Sequence, residues 1–282
     1  MSGKLSGKVA FVTGAARGQG RSHAIRLAQE GADVIAVDIA ADIPEIGCSA
    51  MGTEADLKET ATAIEALGRR VHVGVADVRN FDDLSQQVNE GIASLGAPDV
   101  VVANAGVLDF GSAWEISDSA WDAVVDVNLK GVWHTCKAAI PSMIEADKGG
   151  SIILISSTAG TRGLGNMAHY VAAKHGVVGL MKALAGELAP HMIRVNSVHP
   201  TNVDTYQVHN PKSYSMFFPD DLSKRNREGI QEAMRGFNML PIAWLDPSDV
   251  SNMVAFLASD EARYITASQM KVDAGSTEGM IA

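Results

Sequence analysis

Short apolar segments alternate with longer stretches of helical periodicity along nearly the whole chain of 282 residues. Seven of these segments have the length and β-branched composition of buried strands. They cover residues 8–13, 33–38, 71–76, 99–103, 150–156, 192–198 and 269–273. Strands that alternate with helices are typical of βαβ units, in which helices cover both faces of a parallel sheet. The pattern therefore predicts an α/β fold, a single doubly wound domain over residues 1–282 with a seven-stranded, mainly parallel sheet.

A glycine-rich loop follows the first predicted strand. Gly14, Gly18 and Gly20 stand in the string GAARGQG, and a helix-like stretch over residues 21–30 comes next. Glycines between a strand and a helix let the backbone approach a pyrophosphate at the helix N-terminus. The second predicted strand ends at Asp38, near the distance of about 20 residues at which a carboxylate bonds the adenosine ribose. These features predict a Rossmann-type dinucleotide site, although the glycine spacing differs from the general G-x-G-x-x-G fingerprint.

Three polar residues in the second half of the chain can carry acid–base chemistry on an alcohol. Tyr170 and Lys174 are four residues apart, which places them on one face of a helix. A neighbouring positive charge lowers the pKa of a phenol toward the range in which a general base works at neutral pH. Ser157 directly follows the predicted strand 150–156, where it can donate a hydrogen bond to a substrate oxygen. A tyrosine and a lysine at this spacing also occur by chance on helix surfaces, but the strand-end serine and the glycine loop favour the catalytic interpretation.

With these motifs the chain resembles the short-chain dehydrogenase/reductase family over nearly its whole length. Residues 103–106 read Ala-Asn-Ala-Gly where the family has Asn-Asn-Ala-Gly, and residues 199–205 read HPTNVDT, with Thr201 in place of the usual glycine. The resemblance implies a catalytic tetrad of Asn128, Ser157, Tyr170 and Lys174, in which Asn128 holds a proton-relay water. It also implies NAD contacts from Gly14, Arg17, Gly18, Gln19, Gly20, Asp38, Ile39, Asp77, Val78, Asn104, Ala105, Gly106, Tyr170, Lys174, Val203 and Thr205.

A narrower resemblance involves the mycofactocin-coupled branch of that family, which includes carveol dehydrogenases. The strings TGAARGQGRSHA, HPTNVDT and FLASDEARYIT are similar to that branch, as is the long segment after Asp38. The branch resemblance implies an apolar, terpenoid-like alcohol or ketone as substrate and NAD that is held tightly without free exchange. It also implies an external redox carrier such as mycofactocin. The family resemblance implies a homotetramer.

Two segments are longer than a minimal fold of this kind requires. Residues 39–52 separate the second strand from the next helix, whereas such links usually contain about 2–6 residues. This insertion is either a surface loop or a cover over the adenosine end of the cofactor. Residues 206–245 concentrate aromatic and methionine side chains in a chain that has few aromatics. We interpret them as a lid over an apolar substrate, in preference to ordinary core or subunit-interface packing.

Composition and sequence argue against several other classes of function. The net charge of −10 argues against nucleic acid as a partner, and no apolar stretch is long enough to span a membrane. The first strand begins after seven residues, so we expect no signal peptide and a cytoplasmic protein. Cys48 and Cys136 fit reduced thiols, and the scattered histidines predict no metal site.

Two alternative functions remain open at this point. The first is an NADPH-dependent carbonyl reductase, because Arg17 lies just before the second glycine, where a basic residue can meet a 2′-phosphate. Asp38 opposes this alternative, since its charge would repel that phosphate. The second is a nucleotide-sensing protein without catalysis. The complete set of Asn128, Ser157, Tyr170 and Lys174 argues against it, because a sensor has no chemical need for all four.

Overall fold

Seven parallel strands form one sheet in the computed structural model, which describes residues 3–47 and 51–279. The strands are β1 (Val9–Thr13), β2 (Asp33–Asp38), β3 (Val71–Val75), β4 (Val100–Ala103), β5 (Gly150–Ile155), β6 (Ile193–Pro200) and β7 (Gln269–Val272). Their order in the sheet is β3-β2-β1-β4-β5-β6-β7, and all the pairings between these strands are parallel. The predicted doubly wound, Rossmann-type fold is confirmed. The order reverses between β1 and β4, which opens a crevice at the carboxyl ends of these strands.

Helices cover both faces of the sheet. They are α1 (Gly18–Gln29), α2 (Glu54–Ala66), α3 (Phe81–Leu95), α4 (Asp118–Val125), α5 (Gly131–Ala146), α6 (Ala168–Leu188), α7 (Pro211–Phe217), α8 (Arg227–Arg235) and α9 (Pro247–Ala258). A π-helical turn over Asp126–Lys130 joins α4 to α5. None of the helices in the described ranges is both long enough and apolar enough to cross a membrane.

The continuous apolar strands are explained by burial on both faces. On β1, Val9 and Phe11 belong to the hydrophobic cluster on one face of the sheet, whereas Ala10 and Val12 belong to the cluster on the other. A strand that is buried on both faces needs apolar residues at every position, so it lacks the alternation of a half-exposed strand. Cys136 is a free thiol within the first cluster, and burial raises its pKa to about 12. Cys48 lies outside the described residues.

The two long segments both lie beside the carboxyl edge of the sheet. In the insertion, Ile43 and Ile46 are buried in the same hydrophobic cluster as Phe11. The lid segment contains α7 and α8, whose apolar side chains pack around Ile230 and Met234. Leu245, its last residue, forms an isolated parallel bridge with Val203, which lies in the loop before the segment. The lid segment is therefore anchored to the loop that follows β6.

A buried histidine joins α1 to α9 and makes the fold sensitive to acid. His23 is fully buried, and its Nδ1 lies 2.8 Å from Oγ of Ser251. Burial lowers the pKa of His23 to about 3, so the ring stays neutral in the folded chain but gains a proton below about pH 6.5 in the unfolded chain. Above pH 6.5 we expect the His23 ring to have no effect on how the free energy of unfolding depends on pH. Below about pH 6 it should reduce the free energy of unfolding by about 1.4 kcal/mol per pH unit.

Urea unfolding at a series of pH values tests this expectation. His23→Gln should lose much of the acid sensitivity, even if the variant is less stable at neutral pH. His175→Gln is the matched control, because His175 is exposed on α6 and its ring bonds the carbonyl of Val171 in the preceding turn. An unchanged pH dependence in His23→Gln would contradict the assignment of acid sensitivity to this ring.

Candidate active site

Two adjoining cavities lie at the carboxyl edge of the sheet. The larger has a volume of about 380 Å³ and the smaller of about 100 Å³. Most of the residues predicted to bind the cofactor line the larger cavity: Gly14, Arg17, Gly18, Gln19, Gly20, Asp38, Ile39, Asp77, Val78, Asn104, Ala105, Gly106, Tyr170, Lys174 and Thr205. Ser157 and Val203 line the smaller one, and Asn128 lines neither. Tyr170 lines both, so it lies where the two cavities meet.

Close packing explains the glycines of the loop after β1. A Cβ atom on Gly20 would lie 1.9 Å from the carbonyl oxygen of Gly14. Gly14 itself has a φ of +70°, and a Cβ there would lie 2.9 Å from Cα of Ala105. Asn104 holds the neighbouring strand end in place, since its Nδ2 donates to the carbonyl of Thr13 over 3.0 Å. The glycine loop thus forms a tight backbone wall of the larger cavity.

Asp38 is a buried carboxylate in the wall of the larger cavity. Its Oδ2 accepts a hydrogen bond from the amide of Ala16 at 2.9 Å, and its Oδ1 accepts one from the amide of Ala40 at 3.0 Å. An ionised carboxylate can accept further hydrogen bonds at both oxygens. Arg17 lies near it with its guanidinium 4.9 Å from the centre of the Tyr206 ring. Burial lowers the pKa of Arg17, and the charge of Asp38 opposes that effect.

An unpartnered side-chain oxygen fits a polar ligand in this cavity. Oε1 of Gln19 is buried and has no hydrogen-bond partner among the described residues. A buried acceptor without a donor is costly, so native structures usually supply one. The tight glycine loop, the Asp38 carboxylate and this amide oxygen together fit a dinucleotide, whose pyrophosphate needs backbone approach and whose ribose hydroxyls donate hydrogen bonds.

The insertion and the lid segment both reach the larger cavity. Ile43, Met51 and Gly52 line it, and a Cβ on Gly52 would lie 2.6 Å from Cβ of Ala16 in the glycine loop. Lys212 on α7 forms an ion pair with Asp109 in the loop after β4. A Cβ atom on Gly47, in the insertion, would lie 3.0 Å from the same Nζ. Lys212 therefore lies where the lid, the insertion and the β4–α4 loop meet.

Ser157, Tyr170 and Lys174 come together as predicted. Ser157 lies two residues beyond the end of β5 and lines the smaller cavity together with Tyr170, and Nζ of Lys174 lies 5.5 Å from the centre of the Tyr170 ring. The same Nζ donates to the carbonyl of Ile155 over 2.9 Å. This arrangement follows from the i, i+4 spacing on α6 and from the position of Ser157 at the carboxyl end of the neighbouring strand.

The expectation that the pKa of Tyr170 lies below its ordinary value is wrong for this geometry. Burial raises the pKa of Tyr170 to about 12, and the hydrogen bond with Ser157 only opposes that effect. Burial also lowers the pKa of Lys174 to about 8. The physical reason is that Lys174 is buried, that protein atoms surround much of Tyr170, and that the ammonium donates to a backbone carbonyl. The loss of hydration therefore outweighs the attraction between the two charges.

Two further residues that the sequence analysis assigned no role support the tetrad. Nδ1 of His199 lies 2.9 Å from the carbonyl of Ser157, and its Nε2 lies 2.8 Å from Oγ of Ser197. Because a carbonyl can only accept, His199 donates from Nδ1 and accepts at Nε2, and burial lowers its pKa in favour of this neutral form. Ser156 donates from Oγ to the carbonyl of Lys174 over 3.0 Å. For both His199 and Ser156, the sequence feature that could have indicated a role was a polar residue at the end of an apolar strand.

Asn128 has a buried position behind the larger cavity, within the π-helical turn. Its Nδ2 donates to the carbonyls of Val107 and Val124, each over 2.9 Å, and its Oδ1 accepts from the amide of Val107. The side chain therefore fixes the loop after β4 to the helix that follows. A π-helical turn often marks a functional site. The proton-relay role of Asn128 stays a prediction.

Comparison with known proteins identifies the family. The short chain dehydrogenase model matches residues 8–213. The (-)-trans-carveol dehydrogenase of Rhodococcus erythropolis is 50% identical over 275 residues, which cover 97% of this chain and 99% of that protein. The cyclohexanol dehydrogenase of Acinetobacter sp. (strain SE19) is 34% identical, with 98% of each chain covered. The crystal structure of carveol dehydrogenase from Mycobacterium avium in complex with NAD is 49% identical, covers 97% of this chain and 99% of that chain, and has a TM-score of 0.95.

None of the residues in the ranges 3–47 and 51–279 form a cluster of three or more histidine, cysteine or acidic side chains that could hold a metal ion. The walls of the two cavities carry hydroxyl, phenol, ammonium and carboxylate groups. Three observations agree on one family: these groups, the order of the strands in the sheet, and the matches to relatives over almost the whole chain. The chain belongs to the short-chain dehydrogenase family.

Proposed function

We propose that this protein is an NAD-dependent dehydrogenase that interconverts a secondary, apolar, terpenoid-like alcohol and its ketone by hydride transfer. The observation that carries the proposal is the position of Tyr170, which lies beside Ser157 at the junction of the two cavities. Family membership and NAD-complexed relatives support the cofactor and the reaction type. The larger cavity would hold NAD, and the smaller one would hold the alcohol.

The smaller cavity supports an apolar substrate. It is lined in part by the hydrophobic side chains of Leu108, Leu164, Met167, Val203 and Val208. The few polar groups beside them, including Ser157 and Tyr170, can fix the orientation of one hydroxyl group. Two relatives are named for cyclic alcohols, carveol and cyclohexanol, which are of the same chemical kind.

The residues of the site account for the movement of the proton. NAD, when bound, supplies the acceptor for the hydride that leaves the carbinol carbon. In oxidation the Tyr170 oxygen accepts the hydroxyl proton, and in reduction it returns that proton to the ketone oxygen. Ser157 donates a hydrogen bond to the same substrate oxygen and stabilises its developing charge. The Lys174 ammonium stabilises the phenolate, and His199 keeps Ser157 in position through the Ser157 carbonyl.

The alternative of an NADPH-dependent carbonyl reductase rests on Arg17. Its guanidinium lines the larger cavity, where it could meet a 2′-phosphate. Asp38 lines the same wall and is buried, so its charge is poorly screened and would repel that phosphate. We therefore favour NAD. A sensor without catalysis is less favoured, because Ser157, Tyr170 and Lys174 meet in one arrangement suited to proton transfer.

We also propose a homotetramer in the cytoplasm. Large aromatic side chains that are exposed on the single chain support association, among them Trp114, Trp133 and Tyr264. The free, buried thiol of Cys136 is consistent with a reducing compartment.

The proposal extends to retention of the cofactor during turnover, with mycofactocin or a similar external carrier removing the electrons. Residues Ile43, Met51 and Gly52 of the insertion line the larger cavity, and Lys212 joins the lid to Asp109. Segments that fold over a ligand slow its release. We expect purified protein to carry NAD or NADH, to reduce added NAD slowly and to turn over with an artificial electron acceptor. Extensive dialysis that yields empty protein with ordinary NAD turnover would contradict retention.

The ion pair of Lys212 offers a specific test of that cover. Lys212→Gln removes the charge that pairs with the buried carboxylate of Asp109, so we expect bound NADH to leave about tenfold faster. The matched control is Lys224→Gln, because Lys224 lies in the same lid segment and contacts its sequence neighbours Asp221 and Phe218. Stopped-flow fluorescence of NADH release compares the variants. Equal release rates for the wild type and Lys212→Gln would show that this contact does not hold the cover closed.

A further inference from the structure

Thr201 occupies a position between the candidate active site and the lid segment. It follows β6, and its amide donates to the carbonyl of Val272 on β7 over 3.2 Å, so its backbone is held at the edge of the sheet. It lines the smaller cavity together with Ser157 and Tyr170. Its hydroxyl, however, bonds to Oδ1 of Asn238 at 3.0 Å, in the far part of the lid. One side chain thus contacts both the substrate cavity wall and the lid.

The direction of this hydrogen bond is fixed by the other contacts of Asn238. Nδ2 of Asn238 donates to the carbonyl of Ile242 over 2.8 Å and to that of Ala243 over 3.4 Å. Its Oδ1 therefore faces Thr201, and an amide oxygen can only accept, so Thr201 must be the donor. Asn238 is 2% exposed. Loss of the donor would leave a buried acceptor unsatisfied, which is more costly than the net gain from an ordinary hydrogen bond.

Asn238 lies where the lid turns back toward the sheet. Its own amide donates to the carbonyl of Arg235 at the end of α8, and its side chain holds the carbonyls four and five residues later. The chain then returns to the sheet at Leu245, which pairs with Val203 beside Thr201. The Thr201 hydroxyl is thus a second link, formed by a side chain, between the loop after β6 and the end of the lid.

We propose that Thr201 is a positioning residue that sets the lid against the apolar substrate, an inference that rests on the proposed function. Glycine at this position would have no hydroxyl and would leave Asn238 Oδ1 without this donor. The link restricts the lid wall on the substrate side and does not involve the hydride or proton transfer. It therefore acts on binding of the apolar alcohol more than on the chemical step.

Steady-state kinetics of three variants test the proposal. Thr201→Val keeps the shape but removes the donor, and we expect KM for an apolar secondary alcohol to rise about tenfold while kcat changes by less than about threefold. Thr201→Ser restores the hydroxyl and should bring KM close to the wild-type value. Asn238→Ala removes the acceptor, so adding Thr201→Val to it should produce little further change. Thr62→Val is the control, because Thr62 is exposed on α2 and its hydroxyl donates to the carbonyl of Lys58 in the preceding turn.

Hydrogen exchange gives a readout that does not depend on activity. In Thr201→Val, but not in Thr62→Val, the amides of Met239 and Leu240 should exchange faster, because both donate to the carbonyl of Ala274 from the part of the lid next to Asn238. Unchanged exchange and unchanged KM in Thr201→Val would overturn the proposal, as would equal impairment of Thr201→Ser. If the wild type oxidised no secondary alcohol, the proposed function would fail, while the exchange experiment would still decide whether the link holds the lid.

Discussion

Replacement of Tyr170 by phenylalanine is expected to lower the rate of alcohol oxidation by about 100-fold or more, since general acid–base catalysis contributes about 10² to 10⁴. The substitution removes the oxygen that accepts the proton but keeps the ring that separates the two cavities. NAD binding should change little, because the rest of the larger cavity is unaltered. Single-turnover kinetics with bound NAD measure the chemical step, and calorimetry measures cofactor binding.

The matched control is Tyr264→Phe, which deletes a phenol oxygen from a side chain that is 84% exposed and far along the chain from the site. It should keep full activity. A pH profile adds a second criterion. Because burial raises the pKa of Tyr170 to about 12, little phenolate is present at neutral pH, and oxidation should become faster as the pH rises toward about 8. Above that value Lys174 loses its charge and its support of the phenolate. Near-normal oxidation by Tyr170→Phe would remove Tyr170 from the mechanism.

The second large effect is expected in the choice of cofactor. Asp38 is 8% exposed, so a 2′-phosphate placed beside it would meet a charge with little screening. Two like charges placed side by side make the free energy of binding less favourable by several kcal/mol. We therefore expect NAD to bind on the order of 100-fold more tightly than NADP. Asp38→Asn removes the charge and keeps one of the two acceptor oxygens, so it can still accept from the amide of Ala16 or from that of Ala40. In this variant the ratio of the NAD affinity to the NADP affinity should fall by about tenfold or more.

Calorimetric titration of cofactor-free protein compares the two affinities. Asp42→Asn is a suitable control, because Asp42 lies in the insertion and is exposed, so its charge is well screened. It should leave the preference for NAD nearly unchanged. Equal affinities of NAD and NADP in the wild type would mean that Arg17 outweighs Asp38, and the carbonyl reductase alternative would then gain support.

The sheet could be predicted because its sequence signal is local. Strands such as β1 are buried on both faces, so they appear as unbroken apolar segments between glycines and polar residues. The cavity-lining residues were predictable for a related reason. Gly14 and Asn104 directly follow strands, Asp38 ends one, and Ser157 lies two residues beyond another. The carboxyl ends of parallel strands all meet at one edge of the sheet.

Contacts between distant segments could not be predicted in the same way. Lys212 and Asp109 are 103 residues apart, and neither lies in a pattern that indicates its partner. Thr201 was recognised only as a departure from the family pattern, whereas its bond to Asn238 requires the folded lid. The pKa of Tyr170 was predicted in the wrong direction, because the spacing of Tyr170 and Lys174 shows their proximity but not their desolvation or the carbonyl of Ile155 that the ammonium contacts.

Transfer of deuterium tests most directly whether a hydride passes from the alcohol to the nicotinamide at this site. A cyclic secondary alcohol carrying deuterium on its carbinol carbon is mixed with the protein and its bound NAD, and the products are released by denaturation and analysed by mass spectrometry and NMR. Hydride transfer at this site predicts one ketone for each reduced nicotinamide, with the deuterium on C4 of the nicotinamide ring, and loss of this transfer in Tyr170→Phe. Ketone formation without deuterium in the nicotinamide, or no reaction with any apolar secondary alcohol, would contradict hydride transfer at this site.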